Sequence, residues 1–380
     1  MEFKFETKAI HNGQNPDPET GAVIPPIHLA STFKQVSVGE HQGFEYSRTG
    51  NPTRQRLEEQ VSSLENAKYG IAFASGSAAT ATIQLLLNKG DHVICGDDVY
   101  GGTYRFFDKV MKKFGVSYDF VDLADPENLR ATIKENTKMV WLETPTNPLL
   151  KISDLSALAE ISKEHDLISI VDNTFASPFL QNPIDQGIDV VVHSSTKYLG
   201  GHSDLVGGIV ATNDEEFTEK LKFLQNSAGA IPSPFDCWLL MRGIKTLALR
   251  MTQHSKSAAN IAEYLSEQQF IENVYYPFID SHPNSDIAKQ QMRYGGGILS
   301  FDLPSAGSAH AFLKKLKIFY LAESLGGVES LAEYPPTMTH GSIEKDRRQV
   351  LGINDGLVRL SVGLENVDDL IEDITQAMKH

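Results

Sequence analysis

Lys197 stands in the run Val190-Val-Val-His-Ser-Ser-Thr-Lys-Tyr-Leu-Gly-Gly-His-Ser-Asp204, the stretch of this 380-residue chain richest in possible chemistry. Three valines end a buried strand, the hydroxyls of Ser194 and Thr196 follow, and Gly200 and Gly201 let the backbone turn behind the lysine. A lysine at the end of a buried strand loses solvation, so its pKa falls and its amine becomes a nucleophile able to form a Schiff base. The two hydroxyls beside it are natural donors to a phosphate. A solvated Ser-x-Thr-Lys turn is the plain alternative.

Other residues sharpen that choice. Asp172 follows Leu167-Ile-Ser-Ile-Val171, where an unpaired carboxylate at a buried strand end is costly and needs a partner. A protonated pyridine nitrogen is one partner, and the amides of the next turn are another. Tyr100 leaves the apolar run His92-Val-Ile-Cys95 just before Gly101 and Gly102, placed either to stack on a flat ring or to cap the core. Asn147 leaves the run Lys138-Met-Val-Trp-Leu-Glu143. Tyr100, Asn147, Asp172 and Lys197 are then four polar residues leaving strands at one edge of a sheet, and together they point to pyridoxal phosphate held by its aldehyde and its phosphate. Ser75-Gly76-Ser77 joins a strand to an Ala-rich helix, so free N–H groups at Gly76 and Ser77 would face an anion, unless the small residues serve only tight packing.

Near the C-terminus, Arg359 alternates with apolar residues in Val358-Arg-Leu-Ser-Val362 and needs an anion, either a substrate α-carboxylate or a structural ion partner. Glu45-Tyr46-Ser47-Arg48 brings a phenol and a guanidinium that can both reach a phosphate, or is simply solvated. The loops Glu323-Ser324-Leu325-Gly326-Gly327 and Met338-Thr339-His340-Gly341 carry no signature of their own. No second histidine has ligand spacing to His340, so a structural role is expected for it and no metal site is expected.

The elements that must position these groups alternate along the chain. A helix through Leu57, Val61 and Leu64 precedes strands at Gly70–Ala74, His92–Cys95, Val116–Asp122, Lys138–Glu143, Leu167–Val171 and Val190–Val192, with helices over Pro126–Glu135 and residues 152–165 between them. This pattern predicts an α/β fold with a mostly parallel sheet, whose function gathers beyond the carboxyl ends of the strands. From about residue 245 a long helix over Thr246–Gln268 introduces strands at Val274–Pro277, Gly297–Phe301 and Val358–Val362, then an amphipathic helix through Val367, Leu370, Ile371 and Ile374. The expected division is an arm over 1–50, a large domain over 51–245 and a smaller α+β domain over 246–380. The arm is rich in Gly, Pro, Asn and His with little core of its own, which places it on another surface, that of a neighbouring subunit.

Composition narrows the classes. A formal charge of -15, spread along the chain, argues against nucleic acid as a partner. Cys95 and Cys237 are isolated in apolar contexts, which predicts neither disulfides nor a cysteine-based zinc site and suits a reducing cytoplasm. No apolar run reaches 18 residues, so neither secretion nor a membrane span is expected. A nicotinamide enzyme is disfavoured because no Gly-x-Gly-x-x-Gly follows the first strand.

Taken in order, the segments closely resemble the γ-family of pyridoxal-phosphate enzymes of cysteine and methionine metabolism, which includes cystathionine γ-lyase and cystathionine γ-synthase. The likeness runs from the arm to the last helix. It rests on Glu45-Tyr-Ser-Arg-Thr-Gly-Asn-Pro-Thr-Arg54, Asp172-Asn-Thr-Phe175, His193 through Asp204, Ala322-Glu-Ser-Leu-Gly-Gly327 and Val358-Arg-Leu-Ser-Val-Gly363. The resemblance implies fold type I, that of aspartate aminotransferase, and a homotetramer of two tight dimers with shared active sites. It makes Lys197 the Schiff-base lysine, Asp172 the partner of the pyridine nitrogen and Tyr100 the stacking phenol and candidate acid. Phosphate would be held by Gly76, Ser77, Ser194 and Thr196, with Tyr46 and Arg48 from the neighbouring subunit. Arg359, Asn147 and Ser324 would hold the α-carboxylate, and Glu45 and Glu323 a distal ammonium. The implied activity is γ-elimination of cystathionine to cysteine, 2-oxobutyrate and ammonia; the alternative is synthesis of cystathionine from an O-acyl-homoserine and cysteine. Methionine γ-lyases have cysteine two places after the stacking tyrosine, where this chain has Gly102. A non-catalytic scaffold is the reading from another class, and the retention of Lys197, Asp172 and Arg359 speaks against it.

Overall fold

The computed structural model describes residues 3–341 and 343–379. Its larger sheet has seven strands: β1 (Tyr69–Phe73), β2 (His92–Gly96), β3 (Ser117–Val121), β4 (Thr137–Glu143), β5 (Ile168–Asp172), β6 (Val190–Ser194) and β7 (Gly208–Thr212). Their spatial order is β1-β7-β6-β5-β4-β2-β3. From β3 to β6 the strands are parallel, and β7 runs against both of its neighbours. Helices cover both faces, so the inner strands are buried on both sides and Val93–Cys95, Met139–Leu142 and Val190–Val192 are unbroken apolar runs. At the centre, Trp141 is fully buried with the edge of Phe107 5.4 Å away between ring centres.

The strand order decides where the site can be. β2, β4, β5 and β6 lie side by side and parallel, so the loops bearing Tyr100, Asn147, Asp172 and Lys197 leave one edge as neighbours. β7 escapes the sequence pattern because it begins at the glycine pair Gly207-Gly208, which reads as a turn, and offers only three apolar residues, Ile209–Ala211. Those glycines answer to packing. A Cβ on Gly208 would stand 2.3 Å from the Ser75 carbonyl oxygen, so β7 passes directly against the start of the helix Gly76–Gln84.

A second sheet follows, with β8 (Val274–Tyr275), β9 (Ile298–Asp302), β10 (Tyr320–Leu321), β11 (Leu331–Glu333) and β12 (Leu357–Ser361) in the order β10-β11-β12-β9-β8. Leu299, Phe301, Val358 and Leu360 face Phe312, Leu370 and Ile374 of the helices Ala306–Lys315 and Val367–Met378 in its core. β10 and β11, at two and three residues, are too short to show a period-two pattern and were not expected from sequence. The helix Leu247–Ser266 serves two cores: Leu247, Ala248 and Met251 pack with Leu205 and Ile209 beside the first sheet, whereas Ala258, Ile261, Ala262 and Leu265 pack beneath the second sheet.

The N-terminal segment differs from a uniform arm. The helix Phe5–His11 docks on its own chain, with Ala9 buried and its carbonyl accepting from Gln60 Nε2 at 2.6 Å. Beyond it the chain is irregular and leaves Val23, Ile24, Leu29, Val36 and Val38 exposed. Among the described residues, no helix is long and apolar enough to cross a membrane.

Candidate active site

Beyond the carboxyl ends of β2, β4, β5 and β6 lies a cleft of about 290 Å³. Gly76, Ser77, Tyr100, Asn147, Asp172, Ser194, Thr196, Lys197, Glu323, Ser324 and Arg359 all line it, joining the edge of the first sheet to a strand and loops of the second. Glu45, Tyr46 and Arg48 do not line the cleft of their own chain. Tyr46 is exposed with the Arg48 guanidinium 5.6 Å from its ring centre, and Arg48 Nη1 donates to the Asn226 carbonyl at 3.4 Å.

Lys197 is held by its turn. Its carbonyl accepts from Gly201 N–H at 2.8 Å, and its Nζ donates to Ser324 Oγ at 2.7 Å. Burial, then the nearby Arg359 charge, lowers its pKa to about 8. Gly201 sits at φ +72°, and a Cβ there would meet the Arg250 guanidinium at 2.1 Å. Arg250 is buried and donates to the carbonyls of Tyr198 (2.6 Å), Leu199 (3.4 Å) and Gly243 (2.9 Å), pinning the lysine turn to the long helix.

Asp172 ends β5, where its Oδ1 accepts from both the N–H and the hydroxyl of Thr174, and Thr174 Oγ1 in turn accepts from Ser194 N–H at 2.8 Å. Burial raises the Asp172 pKa and these hydrogen bonds oppose the rise. Its Oδ2 has no protein partner among the described residues. The turn contact thus uses one carboxylate oxygen and leaves the other for a further partner.

Gly76 opens a nine-residue helix capped by Ser75 Oγ, which accepts from Ala78 N–H. A Cβ on Gly76 would be 2.9 Å from Ser194 Cβ, so only glycine lets this helix start come so close to the end of β6. The first amides of that helix and the hydroxyls of Ser77, Ser194 and Thr196 border the cleft, donors of the kind an anion needs. These donors, the open carboxylate oxygen of Asp172 and the amine of Lys197 line the same cleft, a donor set that fits a phosphate, a ring nitrogen and an aldehyde. Tyr100 stands at the rim, 43% exposed, a position open for stacking. A Cβ on Gly102 would touch its ring at 2.3 Å.

Arg359, only 2% exposed, donates Nη1 to Asn147 Oδ1 (2.8 Å) and Nη2 to the Ser324 carbonyl (2.7 Å), while Ser324 holds the strained φ of +91°. Its ion partner is Glu333, 2.9 Å away and directly opposite on β11. That residue was not anticipated, because its strand was not. Four further acids or bases escape the sequence pattern. Glu143 ends β4 in register with Asp172 and accepts from Tyr100 N–H at 2.9 Å; burial and the Asp172 charge push its pKa well up. Asp98 accepts from Thr146 Oγ1 at 2.5 Å, and burial lifts it to about 6. His193 and Glu65 pair in the core behind Asp172. Glu143 had a usable signal, an acid closing an apolar run just as Asp172 does. His340, fully buried and bonded to the Asn147 carbonyl at 3.0 Å, does have a structural contact of the expected kind.

A family model described as Cys/Met metabolism PLP-dependent enzyme matches residues 6–379. The chain is 52% identical over 375 residues to a cystathionine beta-lyase of Lactococcus lactis, with 99% of each chain covered. It is 51% identical over 378 residues to a cystathionine gamma-lyase of Bacillus subtilis, covering 100% of both. Its structure superposes on that of cystathionine gamma-lyase from Lactobacillus plantarum complexed with L-serine with a TM-score of 0.96 and 49% identity, covering 99% of this chain and 98% of the other. A type I fold with its site at the sheet edge, and a family match over nearly the whole chain, lead to one conclusion: this protein belongs to the Cys/Met metabolism PLP-dependent enzymes, and its cofactor is pyridoxal phosphate.

Proposed function

We propose that the chain is a cystathionine γ-lyase, a carbon–sulfur lyase releasing cysteine, 2-oxobutyrate and ammonia. The observation that carries this reading is the charge content of the cleft: the buried Arg359 guanidinium and the exposed Glu323 carboxylate line it together with Lys197, whose amine feels both charges. Such a set of charges suits a substrate with a carboxylate at one end and an ammonium at the other, as cystathionine has, better than an apolar thioether.

When bound, pyridoxal phosphate supplies an aldehyde that condenses with amines and a ring that withdraws electrons from the substrate carbons. The amides at Gly76 and Ser77 and the hydroxyls of Ser194 and Thr196 would hold its phosphate, Asp172 Oδ2 its ring nitrogen and Tyr100 its face. Lys197, with a pKa near 8, is neutral in about one molecule in ten at pH 7 and serves as the base that moves protons at Cα and then Cβ. Ser324 keeps Nζ on that path through its hydroxyl. Tyr100, at the rim, is placed to protonate the departing sulfur. Arg359, oriented by Asn147 and Ser324, orients the α-carboxylate and so decides which bonds at Cα face the lysine.

We infer further that the domains divide at 51–245 and 246–380, that residues 1–50 form an arm bringing Glu45, Tyr46 and Arg48 to a neighbouring subunit's cleft, and that the assembly is a homotetramer working in the cytoplasm. The exposed position of all three residues, outside their own cleft, supports the arm's role.

The Lactococcus relative favours a second reading, β-elimination, and the synthase is a third. One assay separates them. Cofactor-loaded protein given cystathionine should yield 2-oxobutyrate and cysteine. Pyruvate and homocysteine would make it a β-lyase, and efficient cystathionine formation from an O-acyl-homoserine with cysteine would make it a synthase.

A further inference from the structure

Arg359 already has a counter-ion before a substrate carboxylate arrives. Its Nη1 is shared between Asn147 Oδ1 and Glu333 Oε1, and both Arg359 Nε and Glu333 Oε2 are buried without a partner among the described residues. Behind the pair a circuit closes. Thr339 Oγ1 lies 2.9 Å from Glu333 Oε1 and 2.9 Å from His340 Nδ1, and His340 Nε2 lies 3.0 Å from the carbonyl of the same Asn147.

The protons in this circuit can be counted. A carbonyl only accepts, so His340 Nε2 carries a hydrogen; burial and the Arg359 charge hold the imidazole pKa near 4, so the ring is neutral and Nδ1 is bare. Thr339 has one hydroxyl proton and two acceptors for it. While Glu333 is a carboxylate it takes that proton in a charge-assisted bond, and His340 Nδ1 faces only a lone pair. Once Glu333 is protonated, its O–H can donate to Thr339 and the Thr339 hydroxyl can turn to Nδ1, so every contact pairs a donor with an acceptor. The circuit is one proton short in the carboxylate state.

We propose that a substrate carboxylate replaces Glu333 as the counter-ion of Arg359 and that Glu333 takes up one proton from solvent as this happens. The inference rests on reading Arg359 as the carboxylate-binding residue. Two carboxylates on one guanidinium repel, and a single O–H bond formed on Glu333 removes that repulsion. The charges facing Glu333 act in both directions. Arg359 on β12 and Lys197 in its turn favour the carboxylate, Glu323 in the loop after β10 opposes it, and neutral His340 lies beyond Thr339. Glu333 is thus a positioning residue: its charge sets how firmly Arg359 holds an incoming carboxylate at a given pH.

Butyrate tests this, since it carries the carboxylate but no amine. Calorimetric titration of cofactor-loaded protein between pH 6.5 and 8.5, in buffers of different ionisation enthalpy, reads affinity and proton uptake together. Wild type should take up close to one proton per butyrate, with Kd rising by as much as about tenfold per pH unit between the free and ligand-bound Glu333 pKa values. Glu333→Gln should take up none and bind with a Kd independent of pH. Thr339→Val breaks the circuit that joins Glu333 to His340, so the pH at which uptake fades should move. Equal uptake in wild type and Glu333→Gln, or no movement in Thr339→Val, overturns the inference. Arg359→Leu keeps the two levels apart: undiminished binding in that variant refutes the role of Arg359 itself, whereas lost binding beside equal uptake in the other proteins refutes only the proton step.

Discussion

Replacing Lys197 with methionine should stabilise the cofactor-free protein at neutral pH. An ammonium whose pKa falls from 10.5 to about 8 on folding opposes the folded state by about 3 kcal/mol at pH 7, an upper bound because the side chain is only partly buried. The sign follows from proton counting. Between pH 8 and 10.5 the unfolded lysine holds a proton that the folded one has lost, so stability rises with pH across that window and is flat on either side. Methionine keeps the apolar stem and removes the charge, giving up the Nζ bond to Ser324 Oγ, worth about 1 kcal/mol net. The expected gain is therefore about 2 kcal/mol at pH 7, shrinking towards zero or reversing by pH 10.5. Urea unfolding of cofactor-stripped wild type and Lys197→Met, at matched protomer concentration and at both pH values, measures it. A variant less stable than wild type at pH 7, or a difference that does not change with pH, would refute the view that burial and Arg359 together depress this amine.

Three other substitutions probe separate parts of the molecule. Gly76→Ala places a methyl 2.9 Å from Ser194 Cβ at the helix start proposed to hold the cofactor phosphate, and loss of one charge-assisted hydrogen bond there should weaken cofactor retention by about tenfold to a hundredfold, read by absorbance after dialysis. Glu143→Gln keeps an acceptor for Tyr100 N–H but cannot ionise; because burial raises the Glu143 pKa, wild type loses stability as pH climbs through that raised value, and the variant should lose less over the same range in thermal melts. Trp141→Ala empties the centre of the large sheet and should cost about 3–5 kcal/mol in denaturant unfolding, and an effect below 1 kcal/mol would mean the surrounding strands collapse freely onto the space.

What the sequence revealed follows physical lines. Lys197, Asp172, Asn147 and Tyr100 were legible as neighbours at one sheet edge because each ends or follows an apolar run, and parallel strands buried on both faces advertise themselves as such runs. Glu143 offers the same signal one strand away from Asp172. Glu333 offered none: its strand is three residues long, and its partnership with Arg359 exists only through cross-strand pairing. Glu65 and His193 are 128 residues apart and meet only when the helix Pro52–Leu64 packs behind the sheet, a contact without local periodicity. β7 was hidden by glycines that belong to tight packing but look like a turn, and the helix Phe5–His11 by the proline- and glycine-rich chain that follows it.

The long helix Leu247–Ser266 carries a lesson for how the molecule comes apart. Its first turns are bolted to the lysine loop by Arg250 and packed into the core beside the first sheet, while its last turns form part of the core under the second sheet. Neither sheet can shed its cover without tearing the same rod from the other. The passage from one sheet to the other therefore marks a change of architecture without marking a line of weakness, and heating should melt both parts of the chain in one transition.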